Sequence, residues 1–117
     1  MGQQGIDRQI DNIEFAVEDI ARSRTFYEKV FGWSFTDYGP DYCEFDDGRL
    51  KGGLARGEPA PGGPLVILYG ADLTELEASI VSAGGRIVKA IFAFPGGRRF
   101  HFTDPDGYEL AVWSDRS

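Results

Sequence analysis

Apolar and polar residues alternate in several short segments of the chain, which is the pattern of half-buried β-strands. In the first of these segments Ile13, Phe15 and Val17 alternate with Glu14 and Ala16. The same pattern, together with flanking turn residues, predicts eight strands: 10–17, 33–38, 41–45, 49–55, 65–69, 86–94 and the two arms of a hairpin that spans 98–113. We therefore expect a chain rich in half-buried sheet.

Two other segments space their apolar residues as an amphipathic helix does. Asp19 and Asp72 precede these segments, and a carboxylate there accepts hydrogen bonds from the free backbone N–H groups of a helix start. Gly32 and the pair Gly84-Gly85 follow the segments as stop signals. The predicted buried faces consist of Ile20, Tyr27, Val30 and Phe31 in the first helix and of Leu73, Leu76, Ile80 and Val81 in the second.

The hairpin near the end of the chain contains the only histidine, His101. Its turn is Asp104-Pro105-Asp106-Gly107, in which proline presets φ and glycine supplies a permissive backbone. Residues 57–64 contain three prolines and three glycines, a composition that excludes a helix or a central strand. We interpret this segment as a linker between two halves.

The two halves repeat each other at a shift of 53 positions, which superimposes Asp19 on Asp72 and Gly32 on Gly85. Each half contains a strand, a helix and then three strands. The sequence therefore predicts an α+β fold of two tandem βαβββ modules that form a curled mixed sheet around a cavity. The predicted organisation is a single domain over 1–117, with module one at about 9–56, a Pro/Gly linker at 57–64 and module two at about 65–114.

Alternation along the strands also predicts which residues face the cavity. One helix covers one face of each sheet, so the opposite faces must curl together. The residues predicted on those faces are Asn12, Glu14, Ala16, Leu65, Ile67, Tyr69, Arg99, His101, Glu109, Ala111 and Trp113.

The composition argues against nucleic acid and anionic membrane surfaces as partners. The net charge is −7, whereas both partners require clustered Lys and Arg. No apolar segment approaches the roughly 20 residues of a membrane span, and the first residues lack the pattern of a signal peptide, so we expect a cytoplasmic protein. The single cysteine, Cys43, excludes an intrachain disulfide and a Cys-based zinc site, and we expect it to be buried.

Four short motifs resemble those of a known superfamily. They are Val17-Glu18-Asp19, Phe26-Tyr27, Phe31-Gly32-Trp33 and Asp104-Pro105-Asp106-Gly107, which span nearly the whole chain in this order. They are similar to motifs of the vicinal-oxygen-chelate superfamily, which includes glyoxalase I, bleomycin-resistance proteins and extradiol dioxygenases. The resemblance implies two βαβββ modules, pairing of two chains as a homodimer, and a cavity that holds a divalent metal in the catalytic members.

The chain departs from this superfamily at the positions of the metal ligands. The resemblance places the usual ligands at Asn12, Leu65 and Ala111. Leucine and alanine side chains have no donor atoms, and asparagine is a weak neutral ligand, so we expect no cofactor. The alternative is a substitute site for a divalent metal, formed by Glu14, His101 and Glu109.

The residues leave three functions open. The first is a metal-free protein that binds a small organic molecule, with Asn12, Tyr69, Arg99 and Trp113 as the binding residues. The second is a metal-dependent lyase or dioxygenase that uses non-standard ligands. The third is an accessory domain whose surface recruits another protein.

Two of the cavity residues are candidates for catalysis. His101 and Glu14 are predicted on the same cavity, and an imidazole oriented by a carboxylate both accepts and donates protons. Arg99 is the candidate for holding an anionic group of the ligand.

Overall fold

The structure, a computed structural model, describes residues 7, 12–63 and 65–116. The first two residues of the predicted first strand and Pro64 of the linker lie outside the described residues. In the part of the chain that is described, no helix is long and apolar enough to cross a membrane.

The first half forms a four-stranded sheet and one helix. Its elements are β1 (Ile13–Val17), α1 (Ile20–Phe31), β2 (Ser34–Asp37), β3 (Tyr42–Asp46) and β4 (Lys51–Arg56). The strand order is β1-β4-β3-β2; β1 and β4 are parallel, and the other pairs are antiparallel.

The second half repeats this arrangement. Its elements are β5 (Val66–Tyr69), α2 (Leu73–Ser82), β6 (Arg86–Phe94), β7 (Gly97–Thr103) and β8 (Glu109–Ser114). The strand order β5-β8-β7-β6 and the parallel pairing of β5 with β8 match the first sheet. The predicted α+β fold of two tandem βαβββ modules is therefore confirmed.

Both predicted helix starts are formed as the sequence indicates. The Asp19 carboxylate accepts a hydrogen bond from the Arg22 backbone N–H at 3.1 Å, and the Asp72 carboxylate accepts one from the Glu75 N–H at 3.1 Å. Gly32 ends α1 with a φ of 72°, a left-handed conformation that glycine adopts without a steric cost. Local chemistry therefore accounts for where the helices begin and for where α1 ends.

The hydrophobic core lies between each helix and its sheet, and Cys43 is buried in it as predicted. Burial raises the pKa of the Cys43 thiol. The prediction for α2 was wrong at Val81, which is 57% exposed. Leu73 and Ile80 already point into the core, and Val81 lies about 100° further around the helix, beyond the buried stripe.

Helix α1 is buried over a wider arc than the sequence predicts, because it also contacts the second module. Ser23 and Phe26, which were not predicted to be buried, are both inside. The Ser23 hydroxyl donates to the Asp106 carboxylate at 3.1 Å, and the Phe26 ring lies 6.3 Å from the ring of Phe102. Contacts between modules, which helical periodicity does not report, explain the difference.

The hairpin turn of module two is the centre of these contacts. The Asp104 carboxylate accepts a hydrogen bond from the Tyr27 hydroxyl at 2.8 Å, and the Asp106 carboxylate accepts from an Arg22 guanidinium N–H at 2.7 Å. Burial raises the pKa of Asp104, while the hydrogen bond from Tyr27 opposes the rise. The turn therefore joins the two modules as well as the two strands.

Candidate functional site

A cavity of about 610 Å³ lies between β1 and β5. Apolar side chains form most of its wall, and two carboxylates, Glu14 from β1 and Glu109 from β8, also line it. Both carboxylates lie on the inner face, by which we mean the face of each sheet that is opposite its helix. The two modules thus contribute one acidic side chain each to a shared and mainly apolar space.

The linker between the modules closes one side of this cavity. Ala60, Pro61 and Gly63 line it together with Tyr108. The Tyr108 hydroxyl donates to the Ala16 carbonyl at 2.8 Å and accepts from the Ala60 N–H at 2.9 Å. Tyr108 therefore holds the linker against β1, a role that the strand pattern gave no reason to assign to it.

On the β1 side, Asn12 and Glu14 lie near Tyr42. Burial raises the pKa of the Tyr42 phenol, the nearby Glu14 carboxylate adds to the rise, and a hydrogen bond with Asn12 opposes it. Asn12 and Glu14 are both exposed. This side of the cavity therefore presents polar side chains that a ligand can reach.

On the second sheet, His101 does not itself line the cavity but pairs with Glu109, which does, rather than with the predicted partner Glu14. The Nδ1 atom of His101 lies 2.7 Å from Oε2 of Glu109. A carboxylate only accepts hydrogen bonds, so Nδ1 carries the proton in this contact. His101 is 4% exposed, and its Nε2 atom is buried without a hydrogen-bond partner. The reason is positional, because His101 and Glu109 lie on neighbouring strands and Glu14 lies on the other sheet.

The remaining predicted binding residues form an aromatic group on the inner face of the second sheet. The Trp113 ring lies 5.3 Å from that of Tyr69 and 6.5 Å from that of Phe94. The Arg99 guanidinium lies 5.5 Å from the ring centres of both Phe92 and Phe94. The Tyr69 hydroxyl donates to the Asp115 carboxylate at 2.6 Å. The structure therefore brings Tyr69, Arg99 and Trp113 together and places Asn12 apart from them on the first sheet.

The side chains at the implied metal positions do not fit a metal ion. Ala111 is fully buried and has no donor atom, and Leu65 presents only hydrocarbon. No group of three His, Cys, Asp or Glu side chains with metal-binding geometry occurs among the described residues, and the alternative set of Glu14, His101 and Glu109 is not such a group.

A sequence profile of the Glyoxalase/Bleomycin resistance protein/Dioxygenase superfamily matches residues 9–112. The chain belongs to this superfamily. A search among curated proteins found no match.

Several solved structures share the superfamily fold. A glyoxalase-related enzyme from Fulvimarina pelagi has a TM-score of 0.80 and 21% identity, over 92% of this chain and 88% of that chain. TioX from Micromonospora sp. ML1 has a TM-score of 0.72 and 24% identity, over 92% and 98% of the two chains. The fosfomycin resistance protein FosX from Mesorhizobium loti has a TM-score of 0.76 and 18% identity, over 94% and 93%. At these identities the likeness shows the fold alone.

Within the superfamily fold, three features of this site were missed by sequence reasoning. The linker forms a cavity wall, Tyr108 fixes it, and Lys89 joins the inner face of the second sheet. The Pro/Gly composition indicated only that the linker is irregular. Lys89 reaches the inner face next to an irregular register in β6, which alternation does not reveal.

Proposed function

We propose that this chain binds a small organic molecule in the cavity between β1 and β5, without a resident metal. The observation that carries the proposal is the cavity itself, with its apolar wall and the carboxylates of Glu14 and Glu109. Its volume of about 610 Å³ lies within the range of roughly 300–1,000 Å³ that is usual for ligand sites.

The physical argument rests on the composition of the wall. Apolar side chains such as Leu65 and Ile67 favour the transfer of a ligand from water, and few polar groups are needed to orient it. Glu14 and Glu109 supply those polar groups as hydrogen-bond acceptors. This arrangement suits a mainly apolar molecule that carries one or two donor groups.

The proposal is tested by filling the cavity. A thermal-shift screen of small metabolites and aromatic drugs identifies a ligand for the wild-type chain. Leu65→Trp introduces an indole at the cavity wall and is expected to weaken binding of that ligand by at least about tenfold. Val81→Trp is the matched control, because Val81 is exposed on α2 away from the cavity. Equal affinity in the two variants would show that the ligand binds elsewhere, and a screen without any ligand would also count against the proposal.

The contact between His101 and Glu109 favours a second candidate function, proton transfer on the bound molecule. The carboxylate orients the imidazole, and the buried Nε2 atom has no other partner. If this holds, incubation of the ligand with the wild-type chain changes its mass or its proton exchange, and His101→Gln abolishes that change while binding remains. A ligand that is recovered unchanged from the wild-type chain would leave binding as the only function.

We also propose that two copies of the chain pair as a homodimer. The supporting observation is that three apolar side chains at β5, those of Leu65, Ile67 and Tyr69, are 39%, 46% and 49% exposed. Such a row of apolar groups on a sheet face is stabilised when a second surface covers it. Leu65 and Ile67 also line the cavity, so the second copy would cover their solvent-facing side and close the open side of the cavity, with the space inside left for the ligand.

A further inference from the structure

Three nitrogen-bearing side chains surround one aromatic ring on the inner face of the second sheet. Nζ of Lys89 and Cζ of Arg99 each lie 5.5 Å from the ring centre of Phe92, and the His101 ring lies 5.9 Å from it. We call these four residues, Lys89, Phe92, Arg99 and His101, the Phe92 cluster. Cations near the face of a ring are attracted by its quadrupole, so the Phe92 ring favours the positions of the Lys89 and Arg99 charges.

The register of β6 produces this arrangement. Lys89 is opposite His101 and Phe92 is opposite Arg99, although Lys89 and Phe92 are three positions apart and would alternate to opposite faces in a regular strand. An irregularity in register lies between the two residues and brings both to the face of His101 and Arg99. Irregularities of this kind are common beside functional sites because they redirect a side chain.

The cluster has more donors than acceptors. In the part of the chain that the structure describes, neither Arg99 nor Lys89 forms an ion pair with a carboxylate. The Nε atom of Arg99 is a buried donor without a hydrogen-bond partner, as is the Nε atom of Arg98 on the opposite face. The Nε2 atom of His101 also has no partner, but with the proton on Nδ1 it is an acceptor and not one of the donors. The chain carries 19 acidic residues against 12 basic ones, so the missing acceptor does not reflect a shortage of acidic side chains.

Buried donors without partners are destabilising, and native proteins rarely leave them so unless another group supplies the acceptor. Among the residues that the structure describes, the one carboxylate hydrogen-bonded to the cluster is that of Glu109, and its partner is Nδ1 of His101. The group that fits the remaining donors is an anion. A carboxylate fits Arg99 well, because a guanidinium presents parallel N–H groups that match its two oxygens.

We propose that the Phe92 cluster binds the carboxylate of an aromatic ligand. The flat part of the ligand rests against the neighbouring rings of Phe94 and Trp113, which lie on the same face. The inference rests on the proposed function, since it places the acidic end of the bound molecule on the sheet face that borders the cavity.

A matched pair of probes tests the charge requirement. 2-Naphthoate and 2-naphthamide have the same shape, and only the first is charged. Isothermal titration of the wild-type chain at low salt is expected to give an affinity for 2-naphthoate at least about tenfold higher than for 2-naphthamide. Arg99→Gln is expected to bring that ratio close to one, and Lys89→Gln is expected to reduce it less.

Arg98→Gln is the matched control. This substitution removes the same charge as Arg99→Gln, at the neighbouring position of β7. Alternation directs the Arg98 side chain to the opposite face, where it lines a surface depression at the start of α2. The Arg98 variant should keep the wild-type ratio. Thermal unfolding of all three variants checks that each is folded.

Three outcomes would overturn the inference. They are equal affinity for the two probes, equal loss of the ratio in the Arg98 and Arg99 variants, and no binding of either probe at millimolar concentration. None of these depends on the comparison of Leu65→Trp with Val81→Trp, so the anion site can fail while the proposed function stands. If both tryptophan variants instead bind the screened ligand as well as the wild type does, the proposed function is wrong. The ratio of affinities for the two probes then tests the anion site separately.

Discussion

Asp104 places a carboxylate in the interior, between the hairpin turn of the second module and helix α1. Its Oδ1 atom accepts from the Asp106 and Tyr108 N–H groups at 2.9 and 3.0 Å, and its Oδ2 atom accepts from the Tyr27 hydroxyl. Burial raises the pKa of Asp104, and these hydrogen bonds offset only part of the rise. The charged form is therefore less favourable in the folded chain than in the unfolded chain.

The consequence is a pH-dependent contribution to stability. A carboxyl group with a raised pKa stabilises the fold most below its ordinary value of 3.8, and this contribution is lost as pH rises through the folded pKa. Asp104→Asn keeps an acceptor for the turn and cannot ionise. We expect the unfolding free energy of the wild type, minus that of Asp104→Asn, to be larger near about pH 4 than near about pH 7 in urea denaturation.

A second variant checks the direction of this effect. Tyr27→Phe removes a hydrogen bond that lowers the pKa of Asp104, so the pKa of Asp104 should rise further in this variant. The stabilisation that Asp104 gives relative to Asp104→Asn should then persist to higher pH when both are measured with Tyr27→Phe. A difference between wild type and Asp104→Asn that stays constant or grows with pH would contradict the assignment.

Strand β4 runs through the middle of the first sheet, between β1 and β3, and two adjacent glycines make this position possible. A Cβ atom at Gly52 would collide with the Phe45 ring and with the Ile13 carbonyl. A Cβ atom at Gly53, on the inner face, would collide with the Tyr42 ring and hydroxyl. A methyl group on either face of β4 would therefore clash, with backbone and a core ring at Gly52 and with the end of a side chain at Gly53.

This difference predicts unequal effects of the same substitution. Gly52→Ala should lower the unfolding free energy by about 1–3 kcal/mol, because the backbone carbonyl and a core ring cannot move aside without strain. Gly53→Ala should lower it by less than about 1 kcal/mol, because the end of the Tyr42 side chain can rotate away. Urea denaturation of both variants measures the two values. A Gly53 variant as unstable as the Gly52 variant would mean that Tyr42 is fixed in place.

The molecule as a whole has apolar surface where the two modules meet. β1 and β5 are the edge strands of their sheets, and each pairs with only one neighbour among the described strands. The exposed Ile67 and Tyr69 side chains lie on β5. A second copy related by two-fold symmetry would cover this surface, which is the commonest closed arrangement of soluble proteins.

The dimer proposal predicts a mass of about twice the 12.9 kDa chain at micromolar concentration. Ile67→Glu should shift the mass towards that of one chain, because a buried carboxylate without a partner opposes association. Val81→Glu introduces the same charge on the exposed face of α2 and should leave the mass unchanged. Sedimentation equilibrium decides between these outcomes, and a wild-type mass near 12.9 kDa would rule the dimer out.

The sequence by itself determined the secondary structure and its repetition. Asp19, Gly32 and Asp72 act on backbone groups within a few residues of themselves, so the helix termini they predict are present in the structure. The strand predicted at 86–94 has the same bounds in the fold, whereas the one predicted at 33–38 is shorter, Ser34–Asp37. These features could be predicted from the sequence because the interactions that produce them are local.

Tertiary structure decided which of those residues meet. Alternation placed Glu14 and His101 on cavity faces, but strand pairing gave His101 the partner Glu109, and an irregular register in β6 brought Lys89 beside Phe92. The burial of Ser23 likewise depends on the turn of the other module. Periodicity describes the direction of a side chain relative to its own element, whereas register and the packing of two modules depend on contacts between residues far apart in the chain.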